Sequence, residues 1–97
     1  MKFEINSTKL ITILKSKPLS KILAKILYAY EYYSEFEPVD EDVFTFSMED
    51  LRKSLRYKNK STVSRGLGAL AELGLFNIST NNQGTIIDFN PEKVRRV

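Results

Sequence analysis

The sequence predicts a single α+β domain, mainly α, with helices in its N-terminal part and a β-hairpin near its C-terminal end. Three observations carry this. Apolar residues recur at helical spacing between 10 and 33 and again between 48 and 73. Two short runs, 76–80 and 85–89, alternate or are β-branched and flank Asn81-Asn82-Gln83-Gly84, a turn sequence. A chain of 97 residues with 42% apolar and 28% charged content has the size and composition of one folded unit with its own core.

Each element can be justified in order. Ser7 is placed to cap a short helix through Ser16, in which Leu10, Ile11, Ile13 and Leu14 are apolar. Pro18 suits the first turn of a second helix, where its missing N–H is no loss. Leu19, Ile22, Leu23, Ile26, Leu27, Tyr30 and Tyr33 then form an apolar stripe, with Lys17, Lys21 and Lys25 on another face. This helix is expected to reach about Phe36, because the residue before Pro38 avoids helical backbone angles. The acidic segment 37–42 is expected to be a loop. Val43-Phe44-Thr45-Phe46 reads as a strand. Ser47 followed by Asp50 resembles a capping box, and Phe46 and Leu51 have the spacing of a hydrophobic staple. A helix from Met48 to about Arg56 follows, burying Leu51 and Leu55. After a polar turn at 57–60, either Ser61 or Asn59 caps the next helix, whose Val63, Leu67 and Leu70 face inward. Gly74 sits where a left-handed residue ends a helix. The hairpin comes next, Pro91 closes it, and a short basic tail is expected to follow.

Composition narrows function. The chain has no cysteine and no histidine. Thiolate chemistry, cysteine-ligated zinc and Ser-His or Cys-His triads are therefore excluded, and the residue most used for acid–base work near neutral pH is missing. No paired-carboxylate constellation stands out from the acidic segment, so no enzyme, cofactor or metal is expected. The absence of a long apolar run predicts no membrane span, and no signal-peptide core is visible, so an intracellular, cytoplasmic location is expected. The stretch from Lys9 to Tyr30 is basic and amphipathic, but Pro18 interrupts it and the core needs its stripe; it is not read as membrane-binding.

Charge is unevenly placed. The net charge is +3. Residues 1–30 carry six lysines and one acid, and residues 31–42 carry six acids and no base. Arg52, Lys53, Arg56, Lys58, Lys60 and Arg65 then occur with no acid between 52 and 65. A basic cluster of this density is what contact with a polyanion requires.

The run Ser61-Thr62-Val63-Ser64-Arg65-Gly66-Leu67, with Leu70 and Leu73-Gly74-Leu75-Phe76 and preceded by Ser47-Met48-Glu49-Asp50-Leu51 and Leu55, resembles the winged helix-turn-helix family, in particular MarR-like and related small repressors. The resemblance covers roughly residues 43–90. It implies a helix-turn-helix and a hairpin wing at 43–90, with the N-terminal helices of 1–37 as a dimerisation element. It also implies sequence-specific binding of double-stranded DNA by a homodimeric transcriptional regulator. The helix near Ser61 would enter the major groove, which such helices read with their N-terminal residues. Ser61, Thr62 and Ser64 are short enough for close approach, and Arg65 is the candidate for a bidentate contact to guanine. Arg52, Arg56, Lys58, Asn59 and Lys60 are candidate DNA contacts around it, with Lys53 available for phosphate. Asn82 and Gln83 are candidates at a wing tip that carries no lysine or arginine. Gly66 and Gly68 either let this helix approach a partner closely or serve internal packing. Gly66-Leu67-Gly68-Ala69-Leu70-Ala71 also fits a loose dinucleotide pattern, but no strand precedes it.

Tyr28, Tyr30, Tyr32, Tyr33 and Phe36 crowd the end of the second helix and cannot share one buried face. Tyr28, Tyr32, Tyr33 and Phe36 are therefore assigned to a dimer interface. The alternative function is a winged-helix protein–protein interaction module without DNA binding, since fold does not determine function. Continuous positive charge around Ser61–Arg65 would favour DNA; an exposed apolar patch there would favour protein.

Overall fold

The computed structural model describes residues 3–32, 36–40, 42–81 and 84–96, the side chains of 3, 36–38, 40, 81 and 96 excepted. In chain order the elements are β1 (Phe3–Ile5), α1 (Leu10–Lys15), α2 (Lys17–Tyr32), β2 (Phe36–Asp40), β3 (Val43–Phe46), α3 (Met48–Leu55), α4 (Lys60–Glu72), β4 (Phe76–Asn81), β5 (Gly84–Phe89) and β6 (Val94–Arg96). Among the described residues the fold is a small α+β domain with four helices and antiparallel sheet.

The helices begin and end where local chemistry directs. Ser47 Oγ accepts the Asp50 N–H at 3.3 Å and starts α3. Asn59 starts α4: its side-chain oxygen accepts from the Thr62 N–H. Gly74 has φ +85 and follows the last turn of α4, the left-handed ending expected of it. Val63, Leu67 and Leu70 are buried on the inner face of α4, and Leu51 and Leu55 on that of α3. Phe46 and Leu51, spaced as a staple, are both core residues.

The larger sheet has the order β2-β3-β5-β4. The strand before α3 therefore joins the hairpin that follows α4, with Phe44 opposite Ile87. The hairpin pairs Phe76 with Phe89 at its base and Asn81 with Gly84 at its tip. Tyr30 fastens α2 to this sheet. Its ring stacks on Phe89 at 4.3 Å and meets Phe44 edge-on at 4.8 Å, and its hydroxyl donates to the Asp42 carboxylate. The crowded tyrosines are thus divided: Tyr30 is buried, while Tyr28 and Tyr32 are 52% and 59% exposed.

Three expectations are corrected. First, α2 stops at Tyr32, and residues 36–40 form a strand rather than a helix end and a loop. Proline cannot donate to a ladder, but β2 lies at the sheet edge, where that donor is dispensable and charged neighbours are common. Second, the basic tail is partly a strand: β6 pairs with β1, Val94 is buried, and Arg95 meets Glu4 at 3.0 Å. Three-residue strands joined across the whole chain leave no periodic signal. Third, α1 starts at Leu10, because Ser7 instead closes a turn, accepting from the N–H groups of Lys9 and Leu10. Of the two cap candidates for α4, Asn59 is the one that caps it.

Gly66 serves packing. A Cβ built on it would stand 2.3 Å from Ile22 Cδ1, and Ile22 is fully buried in α2. Gly66→Ala is therefore expected to destabilise. Overpacking costs about 1–3 kcal/mol, offset by roughly 1 kcal/mol of helix propensity. Ile22→Val removes the clashing methyl at a cost of about 0.5–1.5 kcal/mol. The double variant should be more stable than the two single effects add to, by about 1 kcal/mol in denaturant unfolding. Simple additivity would show that this contact does not limit the helix spacing.

Candidate nucleic-acid interface

The site is built on α4 and the turn that leads into it. Buried residues fix the rotation of the helix, leaving Ser61, Ser64, Arg65, Gly68 and Glu72 exposed along its outer face. Thr62 and Ala69 are half-buried. Four residues, Arg56 to Asn59, separate α3 from α4. Arg56 takes the left-handed conformation there, with φ 62. Among the described residues it is the non-glycine residue with positive φ, and its side chain is exposed.

The first turn of α4 is a closed hydroxyl cluster. Asn59 Oδ1 accepts from Ser61 Oγ at 2.7 Å, from Thr62 Oγ1 at 3.3 Å and from the Thr62 N–H at 3.4 Å. Asn59, Ser61 and Thr62 thus organise the helix start, and the two hydroxyls keep accepting lone pairs for a partner. Asn59→Ala is expected to cost about 1 kcal/mol in unfolding free energy. Asn59→Asp keeps an acceptor for all three donors and should unfold near the wild-type midpoint. Its added negative charge should still weaken binding to duplex DNA. Equal DNA affinity in wild type and Asn59→Asp would remove this turn from any phosphate contact.

The cations divide into tethered and untethered groups. Arg52 is half-buried and already engaged. Its Nη2 and Nε donate to the two Glu49 carboxylate oxygens at 2.5 and 3.1 Å, and its Nη1 donates to the Tyr57 carbonyl at 2.6 Å. Lys60 stands 3.8 Å from the same carboxylate. Lys58 and Arg56 are exposed, and so is Lys53. Arg65 folds back along its own helix, its guanidinium 3.4 Å from the Ser61 carbonyl and hydroxyl. Glu49, Arg52, Lys58, Asn59 and Lys60 together line a shallow depression of about 250 Å³.

Glu49 is the residue that a reading of charge between 52 and 65 misses. It lies just outside that window but one helical turn from Arg52, a spacing that brings side chains together. The Arg52 hydrogen bond holds the Glu49 carboxyl below the usual glutamate range, and the charges of Arg52, Lys60 and Lys53 add to this. The same pair raises Arg52. A carboxyl whose folded-state value is lowered stabilises the fold above the ordinary glutamate range and loses that contribution as pH falls through the lowered value. Glu49→Gln should therefore be slightly less stable than wild type at neutral pH, and the two should converge in acid. It should also free Lys60 and loosen Arg52, which keeps its bond to the Tyr57 carbonyl, and so steepen the salt dependence of DNA binding. An unchanged salt slope would show that these cations stay away from phosphate.

Beyond Arg65 the surface changes character. A groove of about 480 Å³ runs between α4 and the hairpin, lined by Leu67, Gly68, Ala71 and Glu72 of α4, Asn77, Ile78 and Thr80 of β4, and Met48, Ser64 and Thr85. A Cβ on Gly68 would meet nothing within 4 Å. The two helix glycines therefore differ: Gly66 faces α2 and Gly68 faces outward. A smaller hollow of about 320 Å³ lies on the other side of α4, between Thr62, Arg65 and Gly66 and the start of α2 at Ser16, Pro18 and Leu19.

Asn82 and Gln83 lie outside the described residues, as does Tyr33, and the Phe36 side chain is not described either. Tyr28 and Tyr32 pack against each other on the exposed side of α2, ring centroids 4.7 Å apart. Among the described residues no helix is long and apolar enough to cross a membrane. Comparison of the chain with protein-family models, with curated proteins and with solved structures gives no match.

Proposed function

We propose that the protein is a sequence-specific double-stranded DNA-binding protein of the winged helix-turn-helix kind, acting as a small homodimeric transcriptional regulator of the repressor type. The observation that carries this is the outer face of α4. Ser61, Ser64, Arg65 and Gly68 are exposed at successive turns, and Arg56, Lys58 and Lys60 surround the end that would enter the groove. The sheet order supports it, because pairing of β3 with β5 sets the hairpin beside α4 as a wing. In this reading α4 lies in the major groove. The hydroxyls and Arg65 meet base edges, and the lysines neutralise phosphates.

The test is binding to random duplex DNA across a salt series. Neutralised phosphates release counterions, so log affinity should fall linearly with log salt at a slope of about −0.9 per phosphate contacted. Lys58→Ala should reduce that slope by about one contact while leaving sequence preference alone. No binding at low salt would overturn the reading.

One observation favours the second reading, a winged-helix protein–protein interaction module. The groove beside Gly68 is lined by Met48, Leu67, Ala71 and Ile78 with Glu72 at its side. A groove that sets these apolar side chains beside a carboxylate and neutral polar groups is poorly matched to phosphate and better matched to a peptide segment with apolar and basic side chains. Ile78→Asp separates the readings: it should abolish capture of a peptide partner and leave the salt slope on DNA intact.

A further inference from the structure

We infer that the groove beside Gly68 is a strand-docking site: an extended peptide adds antiparallel to the outer edge of β4 and sets a basic side chain against Glu72. This rests on the peptide reading of that groove, fixes how the peptide is held, and does not depend on DNA binding.

The two edges of the larger sheet are unlike. β2 forms one edge and carries Glu37, Pro38 and Asp40, with a register shift between Pro38 and Asp40. Charge, proline and irregular pairing are the ordinary means by which an edge is kept from accepting another strand. β4 forms the other edge and has none of them. Phe76-Asn77-Ile78-Ser79-Thr80-Asn81 is uncharged and pairs with β5 without a shift.

The hydrogen-bond phase shows which groups β4 offers. The Leu75 carbonyl accepts from the Asn90 N–H, while the Phe89 N–H turns the other way, to the Asp42 carbonyl. Alternation along an antiparallel pair then directs the backbone groups of Asn77, Ser79 and Asn81 to β5 and those of Ile78 and Thr80 outward. Among the described residues no strand pairs with β4 on that side, and no backbone hydrogen bond reaches Ile78 or Thr80 there. Donors and acceptors at this spacing are complementary to the backbone of an extended chain, and pockets beside the edge then select its alternate side chains.

The surroundings of the edge define those side chains. A peptide residue opposite Ile78 shares its face, which looks into the groove toward α4. There it meets Leu67, Ala71 and Met48, and Gly68 leaves room by adding no side chain. α4 and β4 both lead away from the turn at 73–75, so Glu72 stands at the base of the groove and Ser64 toward the hairpin tip. Glu72 is exposed and makes no ion pair among the described residues, unlike Glu49, which Arg52 holds. The occupant therefore alternates. Apolar side chains and one lysine or arginine turn inward, and polar ones turn outward beside the exposed Asn77 and Ser79.

The probe is a library of acetylated, amidated peptides the length of β4, with threonine at alternate positions and the others varied. Retained members should carry lysine or arginine at one varied position and aliphatic residues at the rest. In the tightest member, N-methylation at a varied position blocks an amide that faces β4 and should weaken binding about tenfold. N-methylation at the threonines, whose amides face away, should change it little. Thr80→Pro removes an outward N–H at an exposed edge position, where proline is tolerated, and should weaken the same peptide about tenfold. Glu72→Gln should weaken a lysine-bearing member about fivefold and leave its neutral counterpart unchanged. The N-methyl scan uses the unaltered chain, so it stands even if Thr80→Pro unfolds. Equal tolerance of N-methylation at every position would overturn strand addition and leave the groove a peptide site. Sensitivity at the threonines instead would overturn the antiparallel sense. Unchanged affinity in both Thr80→Pro and Glu72→Gln would place the peptide elsewhere on the molecule. A library with no retained member would overturn the peptide reading itself.

Discussion

Replacing Gly68 by alanine is expected to make the protein more stable and a poorer DNA binder. A glycine inside a helix costs about 1 kcal/mol relative to alanine. Nothing stands within 4 Å of the added methyl, so that gain is not offset by a clash. For a domain of this size, 1 kcal/mol corresponds to roughly 4–8 °C in Tm. In the proposed DNA-bound arrangement Gly68 continues the face of Ser64 and Arg65, where the helix backbone would come nearest the duplex. A methyl there would hold the helix off and weaken contacts on both sides of it. We expect a loss of about tenfold in affinity, or roughly 1.4 kcal/mol. Thermal unfolding and duplex binding on the same sample check both signs. A stabilised variant with undiminished affinity would place Gly68 off the contact surface and turn attention to the peptide reading of the adjoining groove.

Substitution of Arg65 should be the most damaging change to sequence preference. Its side chain is exposed and held only by two 3.4 Å contacts to Ser61, so leaving them is inexpensive. A bidentate contact to guanine discriminates by about 1–3 kcal/mol. Arg65→Ala should lose that discrimination and about one phosphate-equivalent of salt slope, with unfolding free energy within about 0.5 kcal/mol of wild type. Arg65→Lys separates charge from geometry, because lysine keeps the charge without the planar fork. It should retain the salt slope and lose the preference. Retained preference in Arg65→Lys would assign base reading to another residue.

Much of the fold is legible in the sequence wherever one local rule acts alone. The inner faces of α3 and α4, the Ser47 cap, the left-handed Gly74 and the β4–β5 hairpin follow from spacing and single-residue chemistry. The failures have physical reasons. β2 is hidden because its proline and acids are disfavoured in strands generally and tolerated at an edge. β1 and β6 pair residues from opposite ends of the chain, Phe3 with Arg96 and Ile5 with Val94, beyond any local pattern. The division of the tyrosines depends on which ring reaches Phe89, a tertiary fact. At the candidate site, residue types single out α4 and the turn before it, but only geometry separates the roles. It ties Arg52 to Glu49 and makes Asn59 a cap. It also sends Gly66 inward and Gly68 outward.

The contact between Gly66 and Ile22 has a mechanical consequence. Gly66 sits against the terminal methyl of the fully buried Ile22, so movement of α4 toward α2 there must turn that side chain. Lys21 bolts the same helix to the last turn of α3. Whatever engages the outer side of α2 therefore grips a rigid lever whose other side sets the position of α4. Association of two copies and occupancy of α4 would then be thermodynamically linked: each would strengthen or weaken the other by the same factor. Loosening the Ile22 contact should reduce that factor before it reduces either affinity alone.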